Sequence, residues 1–330
     1  MKLSNIGLET GGVVSDIRRL GVLDMGSNTI KLLVAEPVRI PRPGLDVIGM
    51  TIEECRVSKG IGTSDRLMLG EDSMSAAADA IDRLRLAAER YGADHLLAVA
   101  TSAVRDAANR QAFLDRVKAQ TGVVLRVLSG AEEAAASAFG LAYDPQIRME
   151  NDILHFDIGG GSLECNRIVD GRQVSGISLP LGAVRMTEKW ICDPMVPIPH
   201  EELSRIKAYT AGLLEDAGIS GAPGIQLVFT GGSVTIARAI VAEMEQREDN
   251  IGVLSALQLN HLLKMLSSTP FTERCGVPGL PANRADVAPA AIAVVLAVMK
   301  VLNVDHLVHS RYGLRHGLAA QVFFGDRSVF

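Results

Sequence analysis

The run Gly21–Ala35 reads GVLDMGSNTIKLLVA and has the pattern of a β-hairpin. Apolar residues lead up to Asp24, a short polar turn follows at Gly26–Thr29, and apolar residues resume at Ile30. A strand, a tight polar turn and a second strand are typical of a hairpin. The sequence therefore predicts a carboxylate at the end of a buried strand, next to a turn rich in small residues.

The same pattern returns in the second half of the chain. Residues 153–169 read ILHFDIGGGSLECNRIV, with an apolar strand, Asp157, a turn at Gly159–Ser162 and a second strand. Asp157 takes the place in this run that Asp24 has in the first, and both sites read apolar–Asp–aliphatic–Gly–small–small. An internal duplication of this kind indicates two similar lobes that face each other across a cleft.

Around these hairpins, strands alternate with helices. Helical spacing predicts helices at residues 72–91, 103–120, 131–141, 200–217, 286–302 and from 314 onward. Short apolar runs predict further strands at residues 95–100, 123–128, 226–229 and 306–309. This alternation predicts an α/β fold. We expect a first lobe at 1–135, a second lobe at 136–313, and a helix at about 314–330 that packs back on the first lobe.

The composition is that of an ordinary globular protein. Of the 330 residues, 48% are hydrophobic and 22% are charged, which argues against disorder and fibrous repeats. The 33 basic and 38 acidic residues give a net charge of −5. This balance disfavours a broad basic track, so we expect no nucleic-acid partner and no anionic membrane surface.

Cysteine spacing and hydropathy indicate in which cell compartment the protein is expected. The cysteines stand singly at Cys55, Cys165, Cys192 and Cys275, which favours reduced thiols over a zinc ribbon. The N-terminal segment up to Leu20 lacks the apolar run of a signal peptide. The most apolar run, Val287–Met299, is shorter than the roughly 20 residues that a membrane span requires. We expect a cytoplasmic protein.

The two Asp–Gly turns have the chemistry of a phosphate site. A glycine-rich turn after a buried strand exposes several backbone N–H groups that can hold phosphate oxygens. A carboxylate at the strand end is a hard oxygen ligand of the kind that Mg²⁺ prefers. Asp24 and Asp157 are therefore candidate metal ligands. Either turn alone could be an ordinary hairpin turn, but the matched pair favours a shared phosphate and metal site.

Seven stretches, in order along the chain, carry a resemblance to a known family. They are LDMGSNTIKLLVAE (23–36), AVATSAVRDAANR (98–110), VLSGAEEA (127–134), FDIGGGSLE (156–164), SLPLGAVRMTE (178–188), FTGGSVTIAR (229–238) and NRADVAPAAIA (283–293). The chain resembles the exopolyphosphatase/guanosine pentaphosphate phosphatase family of the actin-like, sugar-kinase-like superfamily over about residues 20–320. The resemblance implies the short form, with two ribonuclease-H-like lobes around a central cleft.

The resemblance implies two catalytic residues. The family's general base is the second Glu of the S-G-x-E-E-A motif, which is Glu133 here. A carboxylate at the start of a helix, opposite two phosphate turns, can accept a proton from attacking water. Glu132 fits a first-turn residue stabilised by the helix dipole instead. Arg105 matches the family's arginine near the catalytic phosphate, where a guanidinium suits bidentate contact.

The resemblance also implies binding residues. The phosphate-binding candidates are Gly26, Ser27, Asn28, Thr29, Lys31, Gly159, Gly160, Gly161 and Ser162. The metal candidates are Asp24, Asp157 and Glu164. Gly231, Gly232 and Ser233 match the place where nucleoside-binding relatives approach the base or ribose.

Further basic residues are candidates to line the cleft. Arg185 and Arg284 could each either contact the substrate or form an ion pair between the lobes. Arg315 is a further candidate to line the cleft. Two positions depart from the family pattern, because Arg311 stands where an acidic residue is common and His316 stands where Glu is common. These departures put the family's local ion pairs in doubt and add positive potential near the cleft.

The leading hypothesis is a Mg²⁺-dependent hydrolase that releases the terminal phosphate of inorganic polyphosphate. Guanosine pentaphosphate 5′-phosphohydrolase activity is the alternative within the same enzyme class. An alarmone- or nucleotide-binding regulatory protein with slow hydrolysis is an alternative from another class. A sugar- or acetate-kinase activity is disfavoured because no sugar-kinase motif is present. The resemblance leaves a homodimer open.

Overall fold

The structure, a computed structural model, describes residues 3–6, 17–39, 42–58, 67–248 and 252–325. Within these ranges the chain forms two mixed β-sheets with helices packed against them. The predicted α/β class with two lobes is therefore confirmed. Most of the N-terminal segment considered for a leader, and residues 326–330 of the predicted last helix, lie outside the described residues.

The first sheet is built around an antiparallel meander. Its described strands are β1 (Ser4–Asn5), β2 (Leu20–Met25), β3 (Thr29–Val38), β4 (Gly44–Glu54), β5 (His95–Ala100) and β6 (Leu125–Val127). Strands β2, β3 and β4 pair in antiparallel order, and β5 adds to β2 in parallel. Both β1 and β6 pair with the far side of β5, at different heights.

The second sheet repeats this arrangement. Its described strands are β7 (Ile153–Ile158), β8 (Leu163–Val169), β9 (Arg172–Leu179), β10 (Gln226–Thr230), β11 (Val253–Ser255) and β12 (His306–His309). Strands β7, β8 and β9 form the antiparallel meander, β10 adds to β7 in parallel, and β12 adds to β10. The duplication read from the two Asp–Gly turns thus extends to the topology of both sheets.

Helices cover both sheets. They are α1 (Glu71–Arg90), α2 (Ser102–Arg105), α3 (Arg110–Thr121), α4 (Gly130–Leu141), α5 (Ala183–Trp190), α6 (His200–Asp216), α7 (Gly232–Met244), α8 (Ala256–Ser268), α9 (Phe271–Arg274), α10 (Ala288–Leu302) and α11 (Leu314–Phe324). A 3₁₀ turn lies at Ala282–Arg284. The bounds of α1, α4, α6 and α10 agree closely with the sequence prediction.

One predicted helix was wrong. The segment 103–120 is two helices, α2 and α3, because residues 106–109 leave the helical path. The side chain of Asn109 accepts a hydrogen bond from the Leu69 amide at 2.9 Å and donates one to the Leu69 carbonyl at 2.9 Å. These bonds join the start of α3 to a segment 40 residues earlier in the chain. The predicted strand 123–128 is also shorter, at Leu125–Val127.

Two helices cross between the lobes. Helix α11 packs against α4 and against β2 and β3, and α4 also packs against β8 and β9. At the crossing a side chain on Gly317 would collide with the Ala136 carbonyl, and one on Gly140 with the Gly313 carbonyl. Only glycine allows this approach. The expected lobe boundary at 135/136 falls inside α4, and the division at 135/136 and 313/314 stays a proposal.

The apolar run that hydropathy singled out is a buried helix. Helix α10 packs against α5, α6, α7 and α8, and nearly every residue from Ala288 to Leu302 is buried. In the part of the chain that the structure describes, no helix combines the length and apolar character needed to cross a bilayer.

Candidate active site

The two Asp–Gly turns have the same backbone geometry. The Gly26 amide donates to the Thr29 carbonyl at 3.0 Å, and the Gly159 amide donates to the Ser162 carbonyl at 3.0 Å. In the hairpins that carry them, Asp24 lies opposite Lys31 and Asp157 lies opposite Glu164. Lys31 and Glu164 are equivalent positions of the two hairpins, so one hairpin carries a cation where its copy carries a carboxylate.

The two turns meet face to face. A Cβ atom on Gly160 would lie 2.8 Å from the Cβ atom of Ser27, so the second turn tolerates no side chain at this point. The Ser27 hydroxyl also lies 3.2 Å from the Ser102 hydroxyl at the start of α2. The close approach holds the two turns at the base of one cleft.

Helix α5 orients the second turn. Its first amides bond to the turn, with the Ala183 amide donating to the Gly159 carbonyl at 3.0 Å and the Val184 amide to the Gly160 carbonyl at 2.8 Å. The Arg185 side chain donates to the Gly161 carbonyl at 2.8 Å and pairs with Asp106 of the first lobe at 2.6 Å. Arg185 is thus a lobe-bridging residue.

A cleft of about 500 Å³ lies between the lobes. The sequence-predicted residues that line it are Asp24, Gly26, Ser27, Asn28, Thr29, Lys31, Glu133, Asp157, Gly159, Gly160, Ser162, Glu164, Gly231, Gly232, Ser233, Arg284, Arg311, Arg315 and His316. Gly161, Arg105 and Arg185 are outside this lining. The cleft therefore brings together nearly all of the candidates, from both halves of the chain.

Adjacent glutamates at the start of α4 have different roles. Ser129 caps the helix, its hydroxyl accepting from the Glu132 amide at 3.2 Å while the Glu132 carboxylate accepts from the Ser129 amide at 2.8 Å. Glu132 also pairs with Arg126 at the surface. The reciprocal bonds form a capping box, which commits Glu132 to the helix end. Because successive helical residues point in different directions, Glu133 faces the cleft, where it is buried.

The environment of Glu133 favours the protonated form of its carboxyl group. Burial raises the pKa of Glu133 to about 7, and the negative charges of Asp24 and Asp157 add to that rise. Arg105 opposes it, donating to Glu133 at 2.7 Å and to the Leu128 carbonyl at 3.0 Å. Arg105 therefore acts on Glu133 through this ion pair, and the direct phosphate contact implied for it stays a prediction.

Carboxylates converge at the floor of the cleft. Burial raises the pKa of Asp24 and places that of Glu164 well above its usual value, with Glu133 and Asp157 adding to the effect on Glu164. Glu164 accepts a hydrogen bond from the Ser178 hydroxyl at 2.7 Å. Among the described residues, no three His, Cys, Asp or Glu side chains are close enough to hold a metal ion by themselves.

Basic side chains line the same cleft as these carboxylates. Burial lowers the pKa of Lys31 and of Arg315, and nearby arginine charge contributes to the effect on Lys31. Arg284 lines the cleft and donates to the Thr29 hydroxyl at 3.3 Å. The cleft of this chain, which is acidic overall, thus places basic side chains beside its carboxylates, where they can contact an anion.

The outer part of the cleft has apolar walls. Met50 and Ile52 on β4 are 57% and 55% exposed and line the cleft together with Ile236 of α7. They lie in the same cleft as the Gly231–Ser233 segment that begins α7. Large apolar side chains exposed in a cleft are typical of a surface that contacts a ligand.

His316, at the position where the family commonly has glutamate, packs against an aromatic ring. Its ring lies 4.4 Å from that of Tyr312, and burial lowers the pKa of His316 to about 3, with Arg315 contributing. His155 is also buried, near the Thr230 hydroxyl at 2.9 Å, and burial lowers the pKa of His155 to about 4. Both histidines are neutral inside the folded protein at pH 7.

Several site residues were missed in the sequence, among them Ser137, Arg56 and the cleft-lining Glu54. The Ser137 hydroxyl donates to Asp157 at 2.6 Å, and Arg56 contacts Asn28 in the first turn at 2.9 Å. Ser137 lies one helical turn after Glu133 and so shares its face of α4, a signal that was available. The position of Arg56 depends on tertiary contacts and had no local signal.

Comparison with known proteins gives the family. Residues 38–323 match the Ppx/GppA phosphatase family. The chain belongs to this family. The exopolyphosphatase 1 of Mycobacterium tuberculosis (strain ATCC 25618 / H37Rv) is 30% identical over 308 residues, which cover 91% of this chain and 87% of that relative. Exopolyphosphatases hydrolyse phosphoanhydride bonds, so Ppx/GppA phosphatases of this type are phosphoanhydride hydrolases.

Two further comparisons bear on the family. A guanosine-5′-triphosphate,3′-diphosphate pyrophosphatase of Pseudoalteromonas atlantica is 28% identical over 167 residues, covering 51% of this chain and 32% of that relative. The crystal structure of an exopolyphosphatase from Cytophaga hutchinsonii superposes with a TM-score of 0.83 at 25% identity, over 94% of this chain and 99% of that one. The Ppx/GppA fold is thus shared over most of the chain.

Proposed function

We propose that this Ppx/GppA phosphatase releases the terminal phosphate of inorganic polyphosphate in a Mg²⁺-dependent reaction. The observation that carries the proposal is the position of Glu133, a buried carboxylate in a cleft lined by two matched phosphate-type turns. The family and the exopolyphosphatase relatives support the same reaction.

In the proposed reaction Glu133 is the general base. A water molecule next to Glu133 attacks the terminal phosphorus, its proton passes to the carboxylate, a new phosphorus–oxygen bond forms, and the bond to the bridging oxygen breaks. The leaving group is the shortened polyphosphate. A base whose pKa is about 7 is well matched to proton transfer near neutral pH.

The charges in the cleft support binding of a polyanion. The amides of the two turns, with Lys31, Arg284 and Arg315, offer donors to several phosphate oxygens at once. Confining these cations to the cleft makes a net charge of −5 compatible with a phosphate substrate.

The carboxylates on the cleft floor fit a magnesium ion. Burial and neighbouring negative charge raise the pKa of Asp24 and Glu164, an unfavourable situation that a divalent cation relieves. Asp24 and Asp157 would hold the ion, with Glu164 orienting its water, and phosphate and water oxygens would complete the shell, as Mg²⁺ prefers. When bound, the ion neutralises part of the phosphate charge.

A second candidate is 5′-phosphate removal from guanosine pentaphosphate. The apolar walls at Met50, Ile52 and Ile236 favour it, because a bare polyphosphate chain has no group to contact them. The Pseudoalteromonas relative acts on a guanosine phosphate. A regulatory protein that binds such a nucleotide and hydrolyses it slowly would use the same contacts.

The decisive assay compares substrates side by side. Phosphate release from tripolyphosphate, longer polyphosphate, guanosine pentaphosphate and ATP is measured with Mg²⁺ and with EDTA. Polyphosphate turnover that exceeds guanosine pentaphosphate turnover supports the leading proposal, and the reverse order supports the second candidate. Tight guanosine pentaphosphate binding without release of phosphate from any of the four would replace both with the regulatory protein.

A further inference from the structure

Arg56 joins the first phosphate turn to the opposite lobe. Its Nε donates to the Asn28 Oδ1 at 2.9 Å. Its two terminal nitrogens donate to the carboxylate of Asp286 at 2.5 and 3.0 Å, and one of them also reaches the Asn283 carbonyl at 3.3 Å. Arg56 and Asp286 are 230 residues apart in the chain, so this bidentate pair is a tertiary contact between the two halves of the chain.

The far end of this contact is firmly held. Asp286 is only 8% exposed, and the preceding carbonyl, that of Ala285, accepts from Arg274 at 2.9 Å. Arg274 is fully buried and also donates to the Thr269 carbonyl at 2.8 Å. Asp286 therefore presents its carboxylate from a rigid segment, and Arg56 is held against the first turn.

The contact determines which way the Asn28 amide faces. An arginine side chain has hydrogen-bond donors and no acceptor, so Asn28 must turn its oxygen toward Arg56 and its NH₂ group away from it. Asn28 is 5% exposed and lines the cleft, and within the described residues its Nδ2 is buried with no hydrogen-bond partner. A buried donor without an acceptor is costly, and a phosphate oxygen is an acceptor that satisfies it.

We propose that Arg56 is a positioning residue for phosphate binding, which locks the Asn28 amide with its NH₂ group toward a substrate phosphate oxygen. The inference rests on the proposed phosphohydrolase function and names residues that deepen it. Without Arg56 the amide is free to rotate and present its oxygen to the phosphate, which repels it.

The test is a double-mutant cycle on substrate binding. Tripolyphosphate binding is measured by calorimetry, with Mg²⁺, in the E133Q background, which separates affinity from turnover. R56A and N28A should each raise the Kd for tripolyphosphate by about tenfold. The R56A/N28A double variant should have a Kd no higher than that of the weaker-binding single variant. R83A is the matched control, because it removes a surface arginine paired with Glu53 in the same lobe and should leave Kd within about twofold of its parent.

Two isosteric changes test the donor itself. N28D keeps an oxygen for Arg56 but replaces the NH₂ group with a second oxygen, so it should bind tripolyphosphate at least as weakly as N28A does. R56K retains the positive charge, yet a single ammonium cannot fork between Asn28 and Asp286, so most of the R56A loss should remain. R56K also serves if R56A fails to fold.

The outcomes are distinct. If the two substitutions act independently, the double variant should bind tripolyphosphate about a hundredfold more weakly than its parent. That result would overturn the idea that Arg56 acts through Asn28. Tripolyphosphate affinity retained in N28D would overturn the donor assignment. The wild-type protein could release no phosphate from any substrate, while the double variant still binds tripolyphosphate no more weakly than the worse single variant. In that case the proposed function fails and the positioning role stands.

Discussion

Arg105 and Glu133 form an ion pair of 2.7 Å in which the two side chains are 20% and 8% exposed. The guanidinium also donates to the Leu128 carbonyl at 3.0 Å. A fixed cation paired with a buried carboxylate orients it and limits how far burial raises its pKa. The pair is therefore a means of setting the protonation and direction of the proposed base, and several expectations depend on it.

Replacing Glu133 by glutamine should abolish most turnover while leaving the fold intact. E133Q keeps the volume and one acceptor for Arg105 but cannot take a proton, so kcat should fall by roughly 10²–10⁴-fold. E132A is the control: it removes the Glu132 half of the capping box and leaves the Ser129 cap, should cost about 1 kcal/mol of unfolding free energy, and should retain turnover. Steady-state kinetics and urea unfolding distinguish the two, and wild-type turnover in E133Q would disprove the assignment.

Removing the Arg105 charge should move the acid limb of the pH profile. Arg105 favours the ionised form of Glu133, so R105Q should raise the pKa of Glu133 and shift the rise of kcat/KM to higher pH. The measurement is kcat/KM against pH for both proteins. R116A, which breaks a surface ion pair with Glu71, should leave the limb in place. An unshifted limb in R105Q would show that Arg105 does not tune the base.

We expect Asp24 to be required for activity and to lower the stability of the metal-free folded protein. Burial raises the pKa of Asp24, so the charged form is unfavourable in the folded protein without metal. In metal-free buffer D24N should therefore be more stable to unfolding than the wild type, yet it should lose activity and the stabilisation that Mg²⁺ gives the wild type. D144N is the opposite control, because Asp144 accepts bonds from Ser310 and the Gln146 amide and its loss should destabilise. Equal Mg²⁺ stabilisation of D24N and wild type would remove Asp24 from the metal site.

Stability should fall with acid because of His316. Its pKa is about 3 in the folded protein against 6.5 for a free histidine, so below pH 6.5 the unfolded chain binds a proton that the folded chain excludes. The contribution is lost progressively from pH 6.5 down to about pH 3 and amounts to about 2 kcal/mol between pH 7 and pH 5. In H316Q the difference in unfolding free energy between these pH values should shrink by this amount. H261Q, at an exposed site, should leave it unchanged, and an unchanged slope in H316Q would be the contrary result.

The apolar walls should discriminate between substrates. If Met50 and Ile52 contact a base, the M50S/I52S variant should raise KM for guanosine pentaphosphate by about tenfold or more and leave KM for tripolyphosphate nearly unchanged. V174S, at a residue that is 58% exposed on the edge strand of the other sheet, is the control for lost surface hydrophobicity. Equal effects on both substrates would mean that these side chains shape the cleft without reading a base.

Local pattern predicted a large part of this protein. The two Asp–Gly turns, their matched pattern in the two halves of the chain and the buried helix α10 all followed from runs of apolar and small residues within a short window. These features can be predicted locally, because the pattern of apolar residues within a short segment indicates a buried strand or a buried helix. The assignment of the proposed base to Glu133 rather than Glu132 also came from the sequence, through the family motif, and the capping box at Ser129 gives it a physical basis.

Contacts between distant segments depended on the tertiary structure. Asn109 pairs with Leu69 at the break between α2 and α3, and the orientation of Asn28 follows from Arg56 and Asp286. The roles of Arg185 and Arg284 also separated only when the lobes came together, one as a bridge and the other as part of the cleft. Periodicity within a segment predicts which face is buried, but it carries no information about which side chain lies across from it. The sequence therefore determined two matched turns and the residues they carry, whereas the folded chain decided which charges face one another, because those distances are set by packing between lobes.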